Sequence, residues 1–149
     1  MDSVGPRECS VARTLEIVGE KWSVLTLREV FSGVRRFDRI QANTGAPRDV
    51  LTRRLRTLIA HGVLERRQYS ERPPRYEYRL TSAGKELLPV LLTLQQWGDR
   101  HLYGDEPPLT YEHTCRETFE ALLVCASCRE PVRPRDLQIL HEHPEHVGR

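Results

Sequence analysis

The sequence has almost no lysine: of its 23 basic residues only Lys21 and Lys85 are lysine, and the other 21 are arginine. It has no run of roughly 18 apolar residues, the least that a membrane-crossing helix needs, which excludes a helical membrane span. It has no glycine-rich phosphate loop, nucleophile elbow or HExxH string, and no paired-carboxylate or Ser-His constellation, so no enzymatic activity is expected. The first residues, Met1-Asp2-Ser3-Val4-Gly5-Pro6, lack a basic region followed by an apolar one, so no signal peptide is expected and the chain reads as cytoplasmic. In a reducing compartment four cysteines are expected to be thiols or metal ligands rather than structural disulfides.

What is there is unevenly spread. The 149 residues suit one domain plus a small appendage. The net charge of +2 hides an asymmetry. Residues 28–79 hold 13 arginines against 6 acids, net +7, whereas residues 1–27 carry −1 and residues 80–149 carry −4.

Periodicity places the elements. Apolar residues at helical spacing predict helices from Cys9 to Val18 and from Lys21 to Phe31. A short helix with Phe37 and Ile40 three apart follows, then an Asn43-Thr44-Gly45 turn. The next helix is expected from about Pro47 to Ala60, with Leu51, Leu55, Leu58 and Ile59 on its apolar stripe and His61-Gly62 as its stop. The period then switches to strands, Val63 to about Tyr69 and Tyr76 to Leu80, around a turn Ser70–Pro74 whose two prolines are expected to stay out of the ladder. Thr81 is the expected cap of a last long helix through Trp97 towards Tyr103, with Pro89 kinking it or marking its real start. Gly104-Asp105-Glu106-Pro107-Pro108 breaks the chain, so residues 8–103 and 109–149 are expected to be a main domain and a tail module. Helix, short helix, turn, longer helix and hairpin is the order of an α+β winged helix-turn-helix. The basic segment coincides with the helix-turn-helix and wing, where a phosphate-neutralising surface is expected.

The strings Cys9-Ser10-Val11, Gly19-Glu20-Lys21-Trp22, Arg36-Phe37-Asp38, Val50-Leu51-Thr52-Arg53-Arg54-Leu55, Gly62-Val63-Leu64-Glu65-Arg66, Pro73-Pro74-Arg75-Tyr76-Glu77-Tyr78 and Leu80-Thr81-Ser82-Ala83-Gly84 occur in one order at close spacing. Over residues 8–100 this pattern resembles the HxlR family of bacterial transcriptional regulators, relatives of the MarR type. The resemblance implies a homodimer on palindromic double-stranded DNA, with the helix from about Pro47 as recognition helix. It also implies that the first and last long helices, through Val11, Leu15, Leu87, Leu91, Leu94 and Trp97, form the dimer interface. Family members use a cysteine at the position of Cys9 as a redox or electrophile sensor, and a helix start favours a thiolate, although Glu8 would oppose it. The sequence departs from the family at Ala46, where a serine cap is usual.

Away from the apolar stripe the recognition helix carries Arg48, Thr52 and Arg53, expected on base edges, and Arg56, expected on phosphate. Arg72 and Arg75 at the wing tip are expected on backbone or minor groove. Arg36 and Lys21, near helix starts, are further phosphate candidates or ordinary surface charge.

In the tail, His113-x-Cys115 and Cys125-x2-Cys128 supply four soft ligands in two pairs, a set suited to a structural zinc ion. Arg129 stands where a zinc knuckle prefers glycine. Disulfides Cys115–Cys128 or Cys125–Cys128, and a plain helix over 116–124 with free thiols, are the competing readings. His141, His143 and His146 read as a polar tail, one of which could substitute as a ligand. The function expected is a dimeric, sequence-specific DNA-binding regulator, a repressor answering a small molecule or a redox signal. The alternative is a winged-helix protein-interaction module with a structural zinc tail.

Overall fold

The computed structural model describes residues 9–140. Its elements are α1 (Ser10–Val18), α2 (Lys21–Phe31), α3 (Phe37–Thr44), α4 (Arg48–Ala60), β1 (Leu64–Glu71), β2 (Pro74–Leu80), α5 (Ser82–Lys85) and α6 (Leu88–Gly98). A π-helical turn, Asp99–Tyr103, continues α6, and a 3-10 turn lies at Pro134–Asp136. The chain divides into two compact units, one ending at Leu91 and the other beginning at Leu92.

The first unit has one core. Leu27 and Val30 of α2, Ile40 of α3, and Leu51, Leu55 and Leu58 of α4 are buried together with Ala46, Val63 and Leu64. The three leucines on α4 recur at spacings of four and three, so one stripe of that helix is sealed and its other faces stay in water. A buried carboxylate ties two helices: Glu29 accepts from Asn43 Nδ2 at 2.7 Å and from the Arg28 guanidinium at 2.8 and 3.0 Å. Both its oxygens are therefore partnered, as burial of a charge requires.

Between α3 and α4 the chain turns through Gly45, whose φ of 73° is left-handed. Thr44 Oγ1 accepts from the Ala46 N–H at 3.3 Å, and the Ala46 side chain is buried. Pro47 sits one residue earlier than expected, as the N-cap of α4, and no side chain caps that helix. Asp49 places an acid in its first turn, opposite the positive end of the helix dipole.

The hairpin is longer and its turn tighter than the sequence suggests. β1 and β2 are antiparallel, from Leu64 opposite Leu80 to Glu71 opposite Pro74, with an irregularity between Gln68 and Ser70. Pro74 thus lies in the ladder, contrary to expectation. It can do so because it opens a strand of a two-stranded sheet, where its missing N–H orphans no acceptor of a further strand. Arg72-Pro73 is left as the turn.

Thr81 caps α5 as expected, accepting from Gly84 N–H at 3.0 Å. A Cβ on Gly84 would lie 2.1 Å from the Val63 carbonyl oxygen, so only glycine allows that close approach. The single last helix is corrected: α5 ends at Lys85 and α6 starts at Leu88. Pro89 is the second residue of α6, where its missing N–H would have no helical partner anyway. Leu87 and Leu91 pack half-buried against the core.

In the second unit no residue from 92 to 140 is buried. The helix weighed for residues 116–124 does not form. Two small hairpins stand there instead, closed by isolated bridges Glu112–Thr118 and Val124–Pro131. The segment between them hangs on Gln96, which donates to the Ala121 carbonyl at 3.0 Å and accepts from its N–H at 2.7 Å.

Candidate nucleic-acid interface

The outward face of α4 carries the arginines. Arg48, Arg53 and Arg56 are exposed and Thr52 is half-exposed, while the leucine stripe faces the core. The N-terminal turn is braced. The Arg48 guanidinium lies 4.7 Å from the centre of the Phe37 ring and 3.3 Å from an Asp38 oxygen, both on α3. Stacking on a ring fixes the plane of the guanidinium and leaves N–H edges for an acceptor. Thr52 donates its hydroxyl to the Arg48 carbonyl at 2.8 Å, which turns its methyl away from that bond.

The wing is joined to the helix-turn-helix by the backbone. Tyr78 N–H donates to the Arg35 carbonyl at 2.8 Å, which fixes β2 beside the α2–α3 connection. Arg36 stacks on Tyr69 at 4.8 Å, so a residue before α3 touches a strand of the wing. Arg72 and Arg75 are exposed at or beside the hairpin turn. Lys21, the first residue of α2, lies over the Trp22 ring at 4.5 Å. Tyr78 is half-buried. Burial raises its phenol above the usual tyrosine value, while Arg66 and Arg56 act in the opposite direction.

The roles of two further arginines are not visible in the sequence. Arg66 stacks on Tyr76 at 4.1 Å, a diagonal pair on one face of the hairpin, which strand alternation could have suggested once the register was known. Arg54, on the same helix as the exposed arginines, is largely buried and pairs with Glu20 at 3.0 Å. It therefore supports the helix rather than facing outward, and nothing in residue type separates it from Arg53.

Residues 17–106 match the family described as HxlR-like helix-turn-helix. The chain belongs to that family. The uncharacterized HTH-type transcriptional regulator Rv3095 of Mycobacterium tuberculosis is 46% identical over 130 residues, 86% of this chain and 82% of that protein. PA1607, named as a candidate transcription factor, is 32% identical with a TM-score of 0.80, over 91% of this chain and 96% of that one. The redox regulator HypR in its oxidized form is 32% identical with a TM-score of 0.58, over 62% of this chain and 97% of that one. This HxlR-like protein is thus a transcriptional regulator with a helix-turn-helix DNA-binding fold, and its family is one of regulators, not enzymes. No helix among the described residues is long and apolar enough to cross a membrane.

The other expected sites divide. Cys9 is exposed and is the N-cap of α1, its Sγ accepting from Ala12 N–H at 3.2 Å. Val11, Leu15, Leu94 and Trp97 are exposed in the single chain, unlike Leu87 and Leu91. Cys115, Cys125 and Cys128 are free and exposed, so neither weighed disulfide is present. His113 Nδ1 lies 3.3 Å from Cys115 Sγ. Hydrogen bonds from the backbone of Cys128 and Ser127 hold the Cys125 thiol below its usual range. His141, His143, His146 and Glu8 lie outside the described residues.

Proposed function

We propose that this protein is a homodimeric repressor that reads a palindromic operator with α4 and grips its backbone with the wing. The observation that carries the reading is the division of α4 into a sealed leucine stripe and an exposed face bearing Arg48, Arg53 and Arg56, beside a wing tipped with Arg72 and Arg75. Arg48, Thr52 and Arg53 occupy the N-terminal turns that enter a major groove. Arg56, Arg72, Arg75, Arg36 and Lys21 serve phosphate and minor groove, the positioning part of recognition. The exposed apolar residues of α1 and α6 are the surface for the second copy. Cys9 is the sensing residue for an oxidant or electrophile. An exposed thiol at a helix start and the likeness to HypR, a redox regulator by name, support that assignment.

Fluorescence anisotropy with a duplex from the protein's own promoter, across a salt series, tests the interface. Arg53→Ala is expected to cost about 1–3 kcal/mol and relax sequence preference. Arg75→Ala is expected to weaken binding to all sequences and lower the salt slope by about one. Unchanged binding in both variants would overturn the assignment. A salt-insensitive association would favour the protein-interaction alternative.

A further inference from the structure

The tail repeats one construction twice. In the first hairpin His113 N–H donates to the Glu117 carbonyl and Arg116 N–H to the His113 carbonyl. In the second, Cys125 N–H donates to the Glu130 carbonyl and Arg129 N–H to the Cys125 carbonyl. Each hairpin opens on a residue with a soft donor atom, His113 or Cys125. Each places a cysteine two or three residues later, and each follows it at once with an arginine at positive φ, 74° for Arg116 and 66° for Arg129. Among the described residues these two arginines are the non-glycine residues in that region. Such a conformation costs on the order of 1–3 kcal/mol each. The glycine-like turn that a zinc knuckle needs after its second ligand is therefore present, although the glycine is not.

The donor atoms are also close to a metal's demands. Zinc bonds of about 2.0–2.1 Å to nitrogen and 2.3 Å to sulfur, opened to a tetrahedral angle, put the two donors roughly 3.6 Å apart. His113 Nδ1 and Cys115 Sγ stand at 3.3 Å.

A reason for such a site lies in packing. With no buried residue from 92 to 140, and with Leu122, Leu123, Ile139 and Leu140 exposed at 70, 68, 79 and 96%, the tail has no core to hold its hairpins. A metal crosslink supplies the stability that a segment of this size cannot draw from apolar burial.

We propose that His113, Cys115, Cys125 and Cys128 are the four ligands of one tetrahedral, thiolate-preferring divalent ion of the zinc type, which joins the two hairpins. Among the described residues no three of His, Cys, Asp or Glu are gathered as a metal site. Each hairpin therefore holds half of the ligand set. The ion draws the halves together about the segment anchored at Gln96, and the three thiols lose their protons to solvent on binding.

The test uses the full chain without an affinity tag, reduced, stripped with a chelator and reloaded with zinc or with cobalt(II). One equivalent of zinc is expected per chain. The cobalt form is expected to show thiolate charge-transfer and tetrahedral d–d bands. A thiol reagent is expected to find Cys9 alone reactive until chelator is added. Cys115→Ser, Cys125→Ser, Cys128→Ser and His113→Gln should each lose or shift the cobalt bands, while Cys9→Ser keeps them. Three tail thiols as reactive as Cys9 in zinc-loaded protein would overturn the proposal. So would a Cys125–Cys128 disulfide forming in the presence of zinc, or a cobalt spectrum indifferent to Cys115→Ser and His113→Gln. DNA binding is not a readout, so the outcome stands apart from that of the operator assay.

Discussion

At the residue scale, Cys9 shows how a capping role and a chemical role can be separated. Its Sγ accepts from Ala12 N–H, so the thiol does for α1 what a serine or threonine oxygen does elsewhere. Serine is a better acceptor at that position, so Cys9→Ser should keep or slightly strengthen the helix start while removing the reactive sulfur. The expected outcome is a variant with unchanged operator affinity under reducing conditions that no longer responds to diamide or quinone. If Cys9→Ser loses DNA affinity on that treatment as the parent does, the sensor lies elsewhere. The role of Cys9 at a helix start was legible in sequence because the following apolar rhythm dates the helix. Other residue roles were not. Arg53 and Arg54 are adjacent and identical in type, yet one is exposed and the other is largely covered and paired with Glu20. Only the phase of the leucine stripe, which turns Arg54 partly inward, separates them.

At the scale of elements, α4 and the wing were readable because their periods differ and their stops are glycine and proline. One boundary was misjudged, over where proline is tolerated: Pro74 enters the ladder because its strand has a partner on one side only. Of the two readings of Pro89, the structure has the one in which it marks the real start of a helix, as the second residue of α6. The tail hairpins were invisible because neither carries alternating hydrophobicity, and their turns depend on arginines in a glycine conformation. The wing itself has a pH signature. Burial raises the Tyr78 phenol above its ordinary value of 10.0 more than Arg66 and Arg56 lower it. The folded chain therefore keeps this proton at a pH where the unfolded chain has lost it. The contribution is full below about pH 10 and is lost as pH rises through the folded value. Urea unfolding followed by circular dichroism from about pH 8 to 11 should show the parent losing stability faster than Tyr78→Phe above pH 10. Parallel curves for the two proteins would mean that Tyr78 titrates as it does in water.

At the scale of the whole molecule the charge and the apolar surface ask for the same thing. The chain is nearly neutral, yet residues 28–79 carry +7, so a single copy offers duplex DNA one modest basic face. Two copies would offer two such faces at operator half-sites, and the salt slope of binding would grow with the phosphates covered. The chain also leaves apolar side chains of two helices in water. α1 has no buried residue, with Val11 and Leu15 exposed, and α6 exposes Leu94 and Trp97. A nine-residue helix is marginal in water without packing, and α1 packs on the core only through Ile17 and Val18 at its end, which leaves Val11 and Leu15 in water. Because Leu15 and Trp97 are exposed in the single chain, polar replacements there spare its core. Leu15→Glu and Trp97→Glu should leave the unfolding midpoint of the wing's Tyr78 signals near the parent value while converting a dimer to a monomer in analytical ultracentrifugation at micromolar concentration. In the same variants the slope of log affinity against log salt should fall to roughly half, because one half-site's phosphates are no longer neutralised by a second copy. Leu87→Ala provides the contrast: that half-buried side chain packs on the core, so it should lower stability by about 1–2 kcal/mol with the salt slope intact. A parent protein that sediments as a monomer at that concentration, with a salt slope no steeper than that of Trp97→Glu, would end the dimer reading and leave α1 and α6 to a different partner.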